Sequence, residues 1–263
     1  MHKKEKIKRK LDLIIILLYP IIASLLSFTL KVNAFFSVLI FFGIPSIYLT
    51  IRGPKYFKKS IIFSLLTAIP IVIILDYIAH INGQWLIFDS IIPYRFLGIV
   101  TIEVVLWAIF NAYYVLMFYE YFLDHNITNR LWNPHMKYVV AILFILLISF
   151  LIAFFNFPSV LKIPYFYLCF GIVLLLIPIL LELIKYRNLI SKFLYTGAYF
   201  FFVTFLYEVT ALRLDWWDFP GEQFIGWMNI FGVSFPIEEL IFWIMLLAMG
   251  ILSWYEFFDD DNK

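Results

Sequence analysis

The sequence lacks charge. Only 14% of its 263 residues are charged, whereas 64% are hydrophobic and 21% are aromatic. A soluble domain cannot bury that much apolar surface, so the composition excludes a water-soluble globular protein. The apolar runs are continuous and do not alternate with polar residues, which excludes a transmembrane β-barrel. The sequence therefore predicts an all-α integral membrane protein.

Cysteine and cofactor motifs are also scarce. The single cysteine, Cys169, cannot form an intramolecular disulfide and is interpreted as a packing residue. The chain has no G-x-G-x-x-G fingerprint for a dinucleotide and no residue cluster with metal-ligand spacing. No pattern indicates nucleic-acid binding. We therefore expect a protein that needs neither a cofactor nor a metal.

Eight apolar runs are long enough to cross a bilayer, since a spanning helix needs roughly 20 apolar residues. Little chain remains between them, so no extramembrane domain is expected. The predicted spans are residues 12–30, 33–51, 60–80, 96–122, 137–157, 163–184, 191–213 and 227–257.

The basic residues predict the orientation. If the N-terminus is cytoplasmic, sixteen of the twenty Lys and Arg residues fall on the cytoplasmic side. The basic segment "MHKKEKIKRK" precedes a run that is too long for a signal peptide, so it is interpreted as a retained cytoplasmic anchor. We expect a protein of the cell (inner) membrane, in contact with membrane lipids, with both termini in the cytoplasm.

Two parts of the chain resemble each other. "TIEVVLWAIFNAYYVLMFYEYFLD" (101–124) aligns with "IEELIFWIMLLAMGILSWYEFFDD" (237–260) at an offset of 136 residues. "DYIAHINGQW" (76–85) aligns with "EVTALRLDWW" (208–217) at an offset of 132. These matches predict two tandem four-helix repeats in the same orientation, related by an axis near the membrane normal. The predicted repeats are residues 1–130 and 131–263.

Three carboxyl groups lie deep within apolar runs, away from the tails, loops and helix ends: those of Glu103, Glu238 and Glu239. An ionisable group in a membrane is costly and usually faces the interior of the bundle. No Lys or Arg lies in the same runs, so desolvation favours the neutral, protonated acid. The alternative is that these acids only hold the bundle together by hydrogen bonds between helices.

Aromatic residues accompany the acids. Glu103 and Trp107 are four residues apart, as are Glu239 and Trp243, so each pair shares a helix face. The alignment matches Glu103 with Glu239, which makes Glu239 the better candidate for a proton donor. Glu238 and Glu103 are candidates for a base or an electrostatic partner, in roles that could be exchanged.

Further acids fall into two groups. Asp76 and Glu208 align with each other, and each precedes a tryptophan, Trp85 or Trp217, by nine residues. The acids near the other helix ends, including Glu120 and Glu256 and the C-terminal "DDD" (259–261), are expected to be solvated or interfacial. Pro236 precedes the Glu-Glu pair and is expected to weaken the helix there.

A protonated acid among aromatic side chains suits acid-initiated carbocation chemistry. The acid donates a proton to an alkene, and aromatic faces stabilise the resulting cation. Exclusion of water prevents quenching of the cation, and a second carboxylate removes a proton afterwards. A site buried in lipid implies a lipid substrate.

The element "PIEE" (236–239), followed by Phe242 and Trp243, resembles the small membrane-embedded carotenoid cyclases. So does the pattern of acid, spacer and tryptophan at 76–85 and 208–217. This family includes heterodimeric bacterial lycopene cyclases, fused archaeal ones and the cyclase part of fungal fusions with phytoene synthase. The tandem repeat is similar to a fused heterodimer.

The resemblance implies cyclisation of the open ψ-ends of lycopene or a related carotenoid taken from the bilayer. It also implies no cofactor, and it suggests other carotenoid-biosynthesis enzymes as partners. The residues implied to bind the substrate or stabilise the cation are Trp107, Trp243, Phe242, Trp85, Trp217, Asp76 and Glu208. The first repeat reads "VTIE" (100–103) where the second reads "PIEE", so one composite site and two equivalent sites both stay open.

Other membrane functions fit the sequence less well. An intramembrane CAAX-type protease requires an Arg three residues beyond the Glu-Glu pair, and here Phe242 stands at that position. A membrane prenyltransferase requires two Asp-rich magnesium sites, and a rhodopsin requires a lysine deep in a late helix; neither pattern is present. A transporter with paired halves and buried carboxylates is the main alternative.

The basic asymmetry predicts the topology. Reporter tags placed before Met1 and after Lys263 should both report a cytoplasmic location, because the strongly basic loops then stay inside. Cysteine accessibility in right-side-out vesicles measures the same quantity independently. A report from the other side of the membrane at either end would contradict the arrangement of eight spans.

Overall fold

The computed structural model describes residues 3–87, 90–124 and 133–259, with side chains from residue 7 onward. Helix makes up 77% of the structure, and eight of the described helices are long and apolar enough to cross a membrane. The predicted all-α integral membrane protein is confirmed. The helices are α1 (Ile7–Leu30, continuing a helix that begins at Lys3), α2 (Ala34–Arg52), α3 (Pro54–Ile81), α4 (Ile102–Asp124), α5 (Met136–Asn156), α6 (Phe166–Lys185), α7 (Arg187–Arg213) and α8 (Glu239–Phe258).

Two predicted spans began too early. Residues 96–101 and 227–236 were assigned to helices from their hydrophobicity, but they belong to β-hairpins that precede α4 and α8. Each hairpin turns through two successive residues at positive φ, Leu97–Gly98 (53° and 77°) and Phe231–Gly232 (52° and 74°). An apolar hairpin and an apolar helix have similar hydropathy, so hydrophobicity alone does not distinguish them.

Short strands cover one end of the helix bundle, which we call the hairpin end. Two antiparallel pairs, β2 with β3 and β5 with β6, are local hairpins, whereas β1 pairs with β4 from the other half of the chain. The opposite end, which carries Arg52, Lys59 and Lys192, is called the basic end. The strands are β1 (Leu86–Ile87), β2 (Arg95–Phe96), β3 (Val100–Thr101), β4 (Trp217–Asp218), β5 (Trp227–Ile230) and β6 (Val233–Pro236).

The two halves of the chain meet through reciprocal contacts, which is typical of an approximate two-fold axis. At the basic end, the Tyr119 hydroxyl donates to Glu256, and the Tyr255 hydroxyl donates to Glu120 over 2.5 Å. At the hairpin end, Leu86 of β1 lies opposite Asp218 of β4, its counterpart at the offset of 132. The predicted boundary at residues 130 and 131 lies outside the described residues.

Several acids expected to be solvated are buried instead. Glu120 and Glu256 are 3% and 1% exposed, because they form the reciprocal bonds between the halves. Asp259, the first residue of the "DDD" segment, is 3% exposed and accepts a bond from the Asn133 amide. Asp260 and Asp261 lie outside the described residues. Acidic residues occur at helix ends that face water and also at helix ends that face the other half of the chain. The sequence pattern therefore does not distinguish a solvated acid from a buried one.

A buried ion pair attaches α1 to the rest of the bundle. Asp12 is fully buried and lies 2.7 Å from the Arg52 guanidinium. The hydroxyls of Tyr48 and Tyr121 donate to the same carboxylate over 2.6 and 2.5 Å. The Asp12 carboxylate of α1 is therefore bonded to residues of α2 and α4, while the Arg52 side chain remains 25% exposed.

Helices α6 and α8 approach closely at Gly171. A Cβ atom built at this position would lie 2.1 Å from Cγ of Phe242, so only glycine fits without a shift of one helix. The ring of Phe242 therefore packs between helices.

This close approach predicts a stability difference between two glycines. Gly171→Ala should destabilise the protein by about 1–3 kcal/mol, because a methyl group must displace the Phe242 ring or a helix. Gly43→Ala is the matched control, since its Cβ would meet no atom closer than 3.6 Å. Thermal unfolding in detergent measures both, and equal melting temperatures for the two variants would contradict the packing described.

Candidate functional site

A cavity of about 200 Å³ lies inside the bundle, and its wall includes residues of every described helix except α1. Four carboxyl groups reach its wall near the hairpin end, those of Asp76, Glu103, Glu208 and Glu239. Five tryptophans line the same cavity: Trp85, Trp107, Trp217 and Trp243, with Trp254 farther along α8. The structure thus brings together eight of the ten residues selected from the sequence, and leaves Glu238 and Phe242 outside the lining.

Two of the acids are held by tryptophans in the same way. The Trp85 indole N–H donates to Asp76 over 2.7 Å, and the Trp217 indole N–H donates to Glu208 over 3.0 Å. In each half the chain leaves a helix and reverses, so a tryptophan nine residues later returns to the last turns of that helix. The rings of Trp85 and Trp217 then meet edge to face, 5.7 Å apart.

The reversal depends on one unusual residue in each half. Gly83 and Asp215, which correspond at the offset of 132, have positive φ values of 67° and 54°. Glycine adopts this conformation readily, and aspartate is among the few other residues that tolerate it. The nine residues between acid and tryptophan in the sequence are therefore the length of chain that leaves the helix, reverses and returns to it.

Glu103 and Glu238 hold loops in place. The Ile91 amide donates to Glu103 over 2.9 Å, and the Ser90 hydroxyl lies 2.8 Å from its other oxygen. The Ile225 amide donates to Glu238 over 2.6 Å. Both acids thus accept a hydrogen bond from the backbone amide of a loop residue that lies twelve or thirteen positions earlier in the chain.

This equivalence corrects the alignment of the two halves. Helical geometry begins at Ile102 in α4 and at Ile237 in the segment leading into α8, so Glu103 and Glu238 are each the second helical residue. The sequence paired Glu103 with Glu239 instead. With the two helix starts aligned in this way, Val104 of α4 is the counterpart of Glu239, and both residues line the cavity.

A wide helical turn accounts for the difference. Glu239–Leu246 is π-helical, whereas Ile102–Tyr119 is a regular α-helix. A π-turn inserts one extra residue, so the offset between the halves changes from 135 at the helix start to 136 within the π-helical segment, where Trp107 matches Trp243. Pro236, expected to distort the helix, lies in β6 before the helix begins. The distortion therefore arises from the inserted residue.

Glu239 differs from the other cavity acids in its surroundings. Its carboxyl accepts no hydrogen bond from any residue that the structure describes, and its electrostatic neighbour is Glu208. It is nevertheless buried, with 8% of its surface exposed. The carboxyl group therefore faces the cavity without a protein partner, which leaves it available to a bound molecule.

Aromatic rings surround this carboxyl. Trp243, four residues after Glu239, stacks on Phe170 at 5.5 Å and lies 5.8 Å from the Tyr167 ring. The indole N–H groups of Trp107 and Trp243 are buried without a hydrogen-bond partner in the described part of the chain. Both indoles line the cavity, so aromatic rings and the Glu239 carboxyl group share one wall.

Sequence reasoning missed two residues of the wall. Tyr167 is buried in the lining, and its hydroxyl interacts electrostatically with Asp76, Glu208 and Glu239. Asn111 lines the apolar part of the cavity, with its side-chain N–H groups unpartnered among the described residues. Tyr167 is one of 17 tyrosines, and no spacing marked it, because α6 reaches the acids only in the folded bundle.

The polar groups of the cavity can donate and accept protons at one end of an otherwise apolar space. No group of three or more possible metal ligands occurs within the described residues. Comparisons with protein families, with curated protein sequences and with solved structures returned no match. The functional conclusion therefore depends on the geometry of the site.

Proposed function

We propose that the protein cyclises the open ψ-ends of lycopene or a related linear carotenoid to ionone-type rings. The observation that supports this most directly is Glu239, a buried carboxyl group without a protein hydrogen-bond partner in a cavity walled by tryptophans. Such a group can hand a proton to a carbon atom, and its surroundings exclude water from the cation that results. The reaction is an isomerisation and needs no oxidant or reductant.

The first step is proton transfer from Glu239 to C2 of the ψ-end. The described part of the chain gives the Glu239 carboxyl group no hydrogen-bond donor, so a proton on this group faces the cavity and can be passed to an alkene bound there. The proton forms a C–H bond at C2 and leaves a tertiary cation at C1. The face of Trp243 stabilises this cation, and the next double bond of the chain attacks C1 to close the six-membered ring.

The last step removes a proton from the cyclic cation. Asp76 and Glu208 are the candidate bases, because the indole N–H bonds from Trp85 and Trp217 hold their carboxyl groups at the cavity wall. One proton is gained at C2 and one is lost from the ring, so substrate and product have the same formula. Glu208 and Glu239 line the same cavity, so the candidate base and the proposed donor both face the bound chain.

The proposal includes a place for the protein. It acts in the cell (inner) membrane with both termini in the cytoplasm, and takes its substrate from the bilayer. Its functional partners are the carotenoid-biosynthesis enzymes that supply the linear polyene.

The two adjacent glutamates should behave differently on substitution. Glu239→Gln removes the proton donor and should lower the rate of ring formation by about 100-fold or more. Glu238→Gln is the matched control, because an amide oxygen can still accept the Ile225 N–H bond. Carotenoid products of a lycopene-making host expressing each variant measure the difference, and wild-type protein in deuterated water should place deuterium at C2.

Three outcomes would count against this assignment. Near wild-type ring formation by a well-expressed Glu239→Gln protein would remove Glu239 as the donor. Equal loss in both variants would make the pair a structural element. A wild-type protein that forms no rings but changes the distribution of a solute across vesicles would favour the transporter.

The reaction should proceed without added cofactors. Purified protein in liposomes should retain its cyclisation rate after treatment with EDTA and without any nucleotide or flavin, because carboxyl groups supply and remove the proton. Product analysis by chromatography measures the rate. Recovery of a lost rate on addition of magnesium or reduced flavin would contradict the proposed chemistry.

A further inference from the structure

The cavity continues well beyond the acids as an apolar shaft. Along α3 its lining runs from Asp76 near the hairpin end to Phe63 toward the basic end, thirteen residues or about 20 Å of helix. Along α8 the lining continues from Glu239 to Trp254. All four cavity carboxyl groups lie in the part of this shaft near the hairpin end, so the space has one reactive end.

The part of the shaft toward the basic end offers a bound molecule almost no hydrogen-bond partners. The hydroxyls of Thr67 and Thr204 donate to carbonyls of their own helices, and the Trp254 indole N–H donates to Leu174. Asn111 is a further polar residue of this part of the lining, whereas Tyr207 lies next to Glu208 and Tyr167 lies near the acids. The chain of a hydrocarbon fits this space, whereas a molecule with several polar groups would leave them unpaired.

The shaft is asymmetric although the halves are related. Helix α5 lines it through four residues, whereas α1, the first helix of the other half, contributes none among the described residues. Of the α5 residues, Ile142 and Leu146 remain 37% and 44% exposed while lining the cavity. In a membrane protein this exposure faces lipid, so the shaft communicates with the hydrocarbon region beside α5.

We propose that the shaft binds a single linear polyene chain, which enters sideways from the lipid past α5 and lies along the helix axes. This inference rests on the proposed function for the identity of the chain. One end group then lies at Glu239, and the rest of the chain extends toward Phe63 and Trp254 at the basic end. Since only one end of the shaft carries acids, one end group reacts in each binding event, and Ile142 contributes to the choice of chain length.

Ile142 and Ile145 provide a matched pair for the test. Both are isoleucines on α5, but Ile142 lines the shaft, whereas Ile145 is 63% exposed and does not. Ile142 lies fourteen residues, about 21 Å, from the hairpin end of α5, and Asp76 lies five residues, about 8 Å, from that of α3. Ile142 therefore touches the distant part of a long chain and not the reacting end.

The experiment uses two substrates and two readouts on the full-length protein. Ile142→Trp should reduce both the lycopene retained after gel filtration and the rate of lycopene cyclisation by roughly tenfold or more, because a larger ring overpacks the shaft. Ile145→Trp should match the wild type. A truncated polyene with one ψ-end and about half the chain should react normally with Ile142→Trp, which also shows that the variant is folded.

The outcomes separate this inference from the proposed function. If the wild type cyclises lycopene and the two tryptophan variants behave alike, the shaft is not the chain-binding site, although the cyclase function stands. If lycopene is retained by the wild type and by Ile145→Trp alone but no ring forms, the shaft is supported and the cyclase function fails. If the dicyclic product dominates at low conversion with excess lycopene, both end groups react before the chain leaves the shaft. That result would overturn the inference that one end group reacts in each binding event.

Discussion

A carboxyl group buried in a membrane must be supplied with hydrogen-bond donors, and most of this structure can be understood from how that requirement is met. Asp76 and Glu208 are satisfied by indoles that return from the following turns. Glu103 and Glu238 are satisfied by loop amides, so the loops at the hairpin end are fixed by the helices they cover. Glu239 alone, among the cavity acids described, accepts no such bond, and this makes it the chemically available group.

The approximate two-fold arrangement places equivalent residues on both sides of the cavity, and one inserted residue breaks the equivalence. The π-turn at Glu239–Leu246 adds a position to α8, and Glu239 faces the cavity where Val104 stands in the other half. The paired tryptophan and carboxyl groups of the two halves therefore correspond, whereas Glu239, the cavity acid that accepts no hydrogen bond from a described residue, belongs to the second half of the chain.

Composition and run length predicted the number of spans and the class of fold, because a bilayer imposes both. The repeat and the spacing of acids and tryptophans selected eight residues that the folded chain brings to one cavity. The hairpins before α4 and α8 were missed, since their strands are as apolar as the helices that follow. The pairing of Glu103 with Glu239 was misplaced by one residue, because a π-turn leaves no mark in composition and shifts the register only after the acids. Tyr167 depended on a contact between distant helices, which a single sequence does not contain.

The bonds between Tyr119 and Glu256 and between Tyr255 and Glu120 are the same chemical contact made twice. Such a hydrogen bond can form between two different halves or between two identical ones. It also does not require that a peptide bond joins them. It provides attraction without any preference for a partner. A chain cut in the segment between α4 and α5 would keep these bonds and the β1–β4 pairing, so the two pieces would be drawn together at both ends of the bundle. Preference for the unlike piece would have to come from the cavity itself, where Glu239 in one half corresponds to Val104 in the other.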